Sequence, residues 1–177
     1  MSEKLISPKG KLSYPHLFER HTKGDYPSDM YETLLLIPKS TDISAIKNAC
    51  EALLAETFKG KFKDISELEH PPIKDGDDYT DDRKGHWVIK AKSDNRPQIV
   101  GANPNQVIDD KEEVYGGRWA RLSLNLYSYN KAGKKGISFG LRNVQLLEKG
   151  EKLGGASASD PTKEFAEEVI LDDEKAF

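Results

Sequence analysis

The sequence predicts a mainly β protein: a small antiparallel barrel with one main helix and a flexible acidic end. Three observations carry this. Residues 117–130 alternate strictly between apolar and polar, with Ala120, Leu122, Leu124 and Leu126 on one side, the period of a half-buried strand. A basic turn with two glycines at 130–136 then leads into a second apolar-rich run, 137–147, that returns as its partner. Only one segment, 43–58, spaces its apolar residues as a helix does.

Taken in order, residues 1–11 are polar and are expected to be loose. Residues 12–18 form a first strand, which Pro15 restricts to an edge or a bulge. Residues 21–29 carry Gly24, Pro27 and Ser28 and read as a loop. The short apolar run 31–37 is a buried strand closed by Pro38. Ser40, Thr41 and Asp42 then offer caps for the helix, whose apolar side is Ile43, Ile46, Ala49, Cys50, Leu53, Leu54 and Phe58 and which Gly60 stops. Cys50 falls on that side and reads as core packing.

Residues 64–84 are acidic, contain Pro71 and Pro72, and read as a long solvated surface loop. Residues 86–92 alternate again, with Trp87, Ile89 and Ala91 on one face and Val88, Lys90 and Lys92 on the other. A short strand at 97–100, a turn at 103–105 and an acidic connector at 107–113 lead to Gly116 and Gly117 and the long strand. Gly140, inside the partner strand, predicts a bulge or a close backbone approach. A Gly/Ala/Ser-rich linker begins near residue 154. The chain therefore divides into a folded domain, 1–155, and a linker with an acidic tail, 156–177.

The net charge of −3 hides an uneven distribution. Residues 160–177 hold seven acids and two lysines, and residues 64–82 hold eight acids and one lysine. These segments carry −5 and −7, which leaves +9 for the remainder. Residues 118–152 alone hold eight basic residues and two acidic ones. A basic body with acidic appendages suits a polyanionic ligand. The single cysteine rules out an intramolecular disulfide and fits a reducing cytoplasm. The four histidines show no zinc spacing, no apolar run approaches the roughly 20 residues of a membrane span, and residues 1–4 lack a secretory apolar region. No phosphate loop, nucleophile elbow or zinc-protease helix is present, so no enzyme, metal or cofactor is expected.

Short strands, one helix and a long hairpin point to an OB-type barrel, a partly open barrel whose exposed strand face and hairpin loops bind single strands. The polar side of the long strand mixes Trp119, Arg121, Ser123, Asn125, Tyr127 and Tyr129. Aromatic rings beside cationic groups stack bases and hold phosphates. The other reading of the same face is a solvated surface whose tyrosines cover a neighbouring element. The expected single-strand contacts are Trp119, Tyr127 and Tyr129 as stacking rings, Asn125 beside them, and Arg118, Arg121, Lys131, Lys134, Lys135, Arg142, Lys90 and Lys92 as positive charge.

The runs at 115–129, 133–141, Val144-Gln145 and 150–155 resemble a family of tailed-bacteriophage single-stranded DNA-binding proteins. Shorter pieces at 14–18, 36–39 and 75–77 sit where that family has similar ones. The resemblance implies an OB-fold core, coating of single strands, and a role in phage replication or recombination in the host cytoplasm. It also implies a tail that contacts a replication polymerase or helicase through Asp172, Asp173, Glu174 and Phe177, and it leaves self-association open. Two rival readings remain from the residues: a β-barrel assembly module whose aromatic face packs on another protein, and a metal-dependent nuclease built on the acids at 75–82.

Overall fold

The computed structural model describes residues 3–24 and 27–153. The linker and acidic tail expected over 156–177 lie outside the described residues. The elements run β1 (Glu3–Ile6), β2 (Gly10–His16), β3 (Tyr31–Pro38), α1 (Ser44–Phe58), β4 (Lys74–Asp75), β5 (His86–Ser93), β6 (Gln98–Val100), β7 (Trp119–Lys131) and β8 (Lys134–Leu146).

The long hairpin organises the sheet. β7 pairs antiparallel with β8 along its whole length, from Ala120↔Leu146 to Lys131↔Lys134. From β7 the order continues through β2, β3 and β5 back to β8, which closes a five-stranded ring. Closure is short at two places: β2 meets β7 only at Gly10↔Ala120 and Lys11↔Trp119, and β5 meets β8 in parallel at Ala91↔Phe139 and Lys92↔Gly140. β6 also runs parallel to β8. This is an OB-like barrel, mostly antiparallel and partly open.

Alternation decides what fills it. Leu122, Leu124 and Leu126 of β7 meet Leu12, Leu35, Ile37, Ile89 and Phe139 inside, and α1 plugs one end with Ile46, Cys50, Leu53 and Leu54. Truncating one such leucine to alanine costs about 2–5 kcal/mol, because the space left behind collapses only in part. Burial pushes the Cys50 thiol up to about 12, which fits inert packing. The helix starts at Ser44, with Asp42 accepting from the Ser44 amide at 2.9 Å, and ends where Lys59 takes the left-handed conformation.

Several expectations need correction. Residues 1–11 are not all loose: β1 pairs with β7 over Glu3↔Leu126 to Ile6↔Ser123. Its polar Glu3 and Lys4 hid a strand whose stability comes from its partner. Residues 64–84 are not a solvated loop, since Ile65 and Leu68 are buried and β4 pairs with β5. The turn at 130–136 shrinks to Ala132 and Gly133, both with positive φ, as a two-residue hairpin of type I′ requires. The bulge lies between Leu141 and Asn143, where Arg142 is the extra residue, rather than at Gly140.

Candidate nucleic-acid interface

The outward face of the barrel is built by register. Asn125 pairs with Gly140, and Gly140 pairs with Lys92. Tyr127 pairs with Ser138, and continuing the same register sets Lys90 beside Ser138. Two rungs thus cross β7, β8 and β5, each with a lysine two strand spacings, about 10 Å, from a β7 side chain.

Glycines in β8 decide how the tyrosines lie. A Cβ on Gly136 would stand 2.3 Å from Tyr129 Cζ and Oη, so the far end of that ring occupies the space a side chain at Gly136 would need. A Cβ on Gly140 would stand 3.4 Å from Asn125 Cβ and 3.6 Å from Tyr127 Cε1, so both side chains neighbour that glycine at ordinary contact distance.

Tyr129 is also one wall of a cleft of about 360 Å³. Strand residues Leu34, Val88 and Lys90 line it together with His70, Lys74, Tyr79 and Arg83 from the 70–83 segment. The Arg83 guanidinium lies 3.5 Å from the Tyr79 ring centroid and is held bidentate by Asp81, with Nε donating at 2.8 Å and a terminal nitrogen at 2.6 Å. That pairing holds the Asp81 carboxyl down at about 2. The cleft carries one buried acid beside it: Glu32, 6 % exposed, lies 3.4 Å from Lys90 Nζ. Burial pushes the Glu32 carboxyl up, but the Ser28 hydroxyl, Lys90 and His21 outweigh it and hold it below the usual range. Behind it the His16 and His21 rings stack at 4.1 Å. Burial, then the neighbouring His21, lowers the His16 pKa.

A larger groove of about 700 Å³ lies between the start of α1 and the 65–79 segment. Its lining mixes Ile43, Ile65, Ile73 and Trp87 with Asp42, Asp75 and Asp78. Lys47 and Lys74 also line it, but its three carboxylates outnumber them. The smaller cleft is lined by Lys74, Arg83 and Lys90 and, among the described residues, by no acid, so it is the nucleic-acid candidate.

The expected site residues do not all come together. Tyr127, Tyr129, Asn125, Lys90 and Lys92 come together on the face just described. Lys131, Lys134 and Lys135 stand at the hairpin tip next to it, where Lys131 and Lys134 are exposed cross-strand neighbours. The Lys61 ammonium beside Lys135 pulls that lysine below its usual range. Arg142 is half-buried at the bulge.

Trp119 and Arg121 lie at the other end of β7. Ten residues separate Trp119 from Tyr129, about 33 Å along the strand. Trp119 packs on Gly150 and has Lys9 and Lys11 over its ring at 4.8 and 5.2 Å, a separate aromatic and basic patch. Arg121 donates to Gln145 Oε1 at 2.5 Å. Arg118 precedes β7 and is only 9 % exposed. It donates to the Leu147 carbonyl at 2.7 Å and to Glu113 at 2.6 Å, so its guanidinium is used up within the fold. Asp172, Asp173, Glu174 and Phe177 lie outside the described residues.

Sequence reasoning missed Tyr79, Arg83, Lys74, His70 and Lys61. Only the β4–β5 pairing, with Lys74↔Val88 and Asp75↔Trp87, brings the first four to the cleft. Three of the five acids offered for a metal centre are engaged otherwise: Lys39 pairs Asp75 and Asp77 at 2.6 Å, Asp77 also accepts from the Gly85 amide, and Asp81 holds Arg83. Among the described residues no three His, Cys, Asp or Glu side chains group as metal ligands, and no helix is long and apolar enough to cross a membrane.

An OB-like barrel with tyrosines and lysines on its outward strand face has the make-up of a class, the OB-type single-strand binders. The chain belongs to the family described as "Enterobacter phage Enc34, ssDNA-binding protein", whose model matches residues 3–175. Among solved structures it is similar to the single-stranded DNA-binding protein from bacteriophage Enc34, with 27 % identity, 92 % of this chain and 89 % of that chain covered, and a TM-score of 0.68. The same phage protein in complex with ssDNA gives 26 % identity, coverage of 86 % and 89 %, and a TM-score of 0.67. A likeness in fold alone extends to gp2.5, a single-stranded DNA binding protein encoded by bacteriophage T7, at 16 % identity, coverage of 89 % and 97 %, and a TM-score of 0.60. No curated protein matches.

Proposed function

We propose that this chain binds and coats single-stranded DNA during phage DNA replication or recombination, in the host cytoplasm and without a chemical step of its own. The observation that carries this reading is the row of Tyr127 and Tyr129 on the outward strand face, next to Gly140 and Gly136 and in register with Lys90 and Lys92 two strands away. Stacking accepts any base, and lysines accept any phosphate, so the surface suits coating rather than sequence readout. Family membership and the Enc34 complex support the same ligand.

The acidic segment 160–177 extends the reading. It carries −5 on a flexible-composition tether, and the basic face is its natural electrostatic partner. It acts as a weak competitor for that face when DNA is absent, and it offers Asp172, Asp173, Glu174 and Phe177 to a replication partner once DNA binds.

Salt-titrated fluorescence binding with single-stranded and matched duplex oligonucleotides tests the function. The expected result is tighter binding of the single strand, with log K falling against log salt by about 0.7 for each phosphate contacted. Equal affinity for both forms, or binding that ignores salt, contradicts it.

A further inference from the structure

Four non-glycine residues have positive φ among the described residues: Tyr14, Asp29, Lys59 and Ala132. Three have local reasons. Asp29 lies in a loop, Lys59 ends α1, and Ala132 is in the hairpin turn. Tyr14 alone lies inside a strand and alone is aromatic, with φ at 46°. A large L side chain in this region is a true outlier. Pro15 tightens the restriction, because the residue before a proline favours extended backbone.

The bulge itself has a structural purpose. β2 pairs Ser13 with Leu34 and His16 with Glu32, so three steps on β2 match two on β3. That extra residue returns His16 to the outward face over Glu32. Glycine or asparagine would serve the bulge at lower cost. The tyrosine ring is therefore unexplained by the fold, and it is not packed: Tyr14 is 71 % exposed, more than any other exposed large apolar side chain described. It stands next to the cleft by register: its neighbour Ser13 pairs with Leu34, which lines the cleft together with Tyr79 and Arg83. Strain kept at an exposed ring beside a binding cleft points to use of that ring.

We infer that Tyr14 is a stacking post that takes an unpaired base at the mouth of the cleft and so sets the preference for single strands over duplex. This rests on the function proposed above. A paired base within a duplex has no free face to give the ring, whereas the lysines hold phosphates of either form.

Tyr14→Gly and Tyr14→Asn relax the backbone and delete the ring, and Tyr14→Phe keeps it. In the full chain the first two are expected to melt no lower than the parent, because both residues tolerate positive φ. Their single-strand affinity falls about 5- to 150-fold, the loss expected for one stacked base, while duplex affinity stays within about twofold. Tyr14→Phe binds like the parent. Photo-cross-linking with a 5-iodouridine oligonucleotide labels Tyr14. Undiminished single-strand affinity in both ring-less variants, alongside weakened Tyr129→Ala, overturns the inference and leaves the proposed function standing. Undiminished affinity in Tyr129→Ala as well overturns both.

Discussion

The Tyr129 ring lies where a side chain on Gly136 would stand, across the hairpin from its own strand. The glycine leaves the space that the end of the ring takes up. The half-buried tyrosine lines the cleft, and this packing restrains it before any ligand arrives. Preorganisation of this kind lowers the entropic cost of binding.

Gly136→Ala follows directly. The added methyl displaces the ring, since the ring's far end is more easily moved than the β8 backbone. Single-strand affinity is expected to fall by about 1–3 kcal/mol, as for removal of a stacking residue, with the barrel intact by circular dichroism. Tyr129→Ala should fall by a similar amount, and the double variant should fall no further than either alone. Additive losses in the double variant would show that the two residues act independently.

How much of this was legible in the sequence depends on where each signal is stored. The inner row Leu122, Leu124 and Leu126 was legible, because a strand buried on one face writes its period into consecutive residues. The tyrosine row on the opposite face came with it. β1 was not, because Glu3 and Lys4 carry no apolar period and their order comes from pairing with Leu126 and Asn125. Arg118 was misread by phase: Gly117, with φ at 106°, turns the chain just before the strand and folds the guanidinium inward to the Leu147 carbonyl. Tyr79 and Arg83 were hidden inside an acidic stretch, where local charge argues against an anion site. Only the distant pairing with β5 reveals their place.

Lys135 gives a prediction in pH. The neighbouring Lys61 ammonium favours its neutral form in the free protein, whereas a phosphate between the two favours the charged form. Binding should therefore take up a proton in the alkaline window just below the usual lysine pKa of about 10.4. Affinity should fall as pH rises through that window. Titration calorimetry in two buffers of different ionisation enthalpy measures the uptake, and Lys61→Gln should abolish it. An identical heat in both buffers would mean that the pair does not hold phosphate.

Deleting residues 160–177 removes a competing polyanion of charge −5. Single-strand affinity should rise, most of all at low salt where screening is weak. The comparison is between full-length and truncated chains at two ionic strengths. Matching affinities at low salt would remove the competitor from the account.

The central claim is that single strands lie in the cleft of Tyr129, Lys90 and Arg83 rather than at the Trp119 end of β7. Fluorescence anisotropy with one short oligonucleotide, on Tyr129→Ala, Lys90→Ala and Trp119→Ala side by side, tests it most directly. The account predicts weaker binding for the first two, by about 1–3 kcal/mol for the tyrosine, and binding close to the parent's for Trp119→Ala. The reverse order, with Trp119→Ala weakened and the cleft variants unaffected, would contradict it.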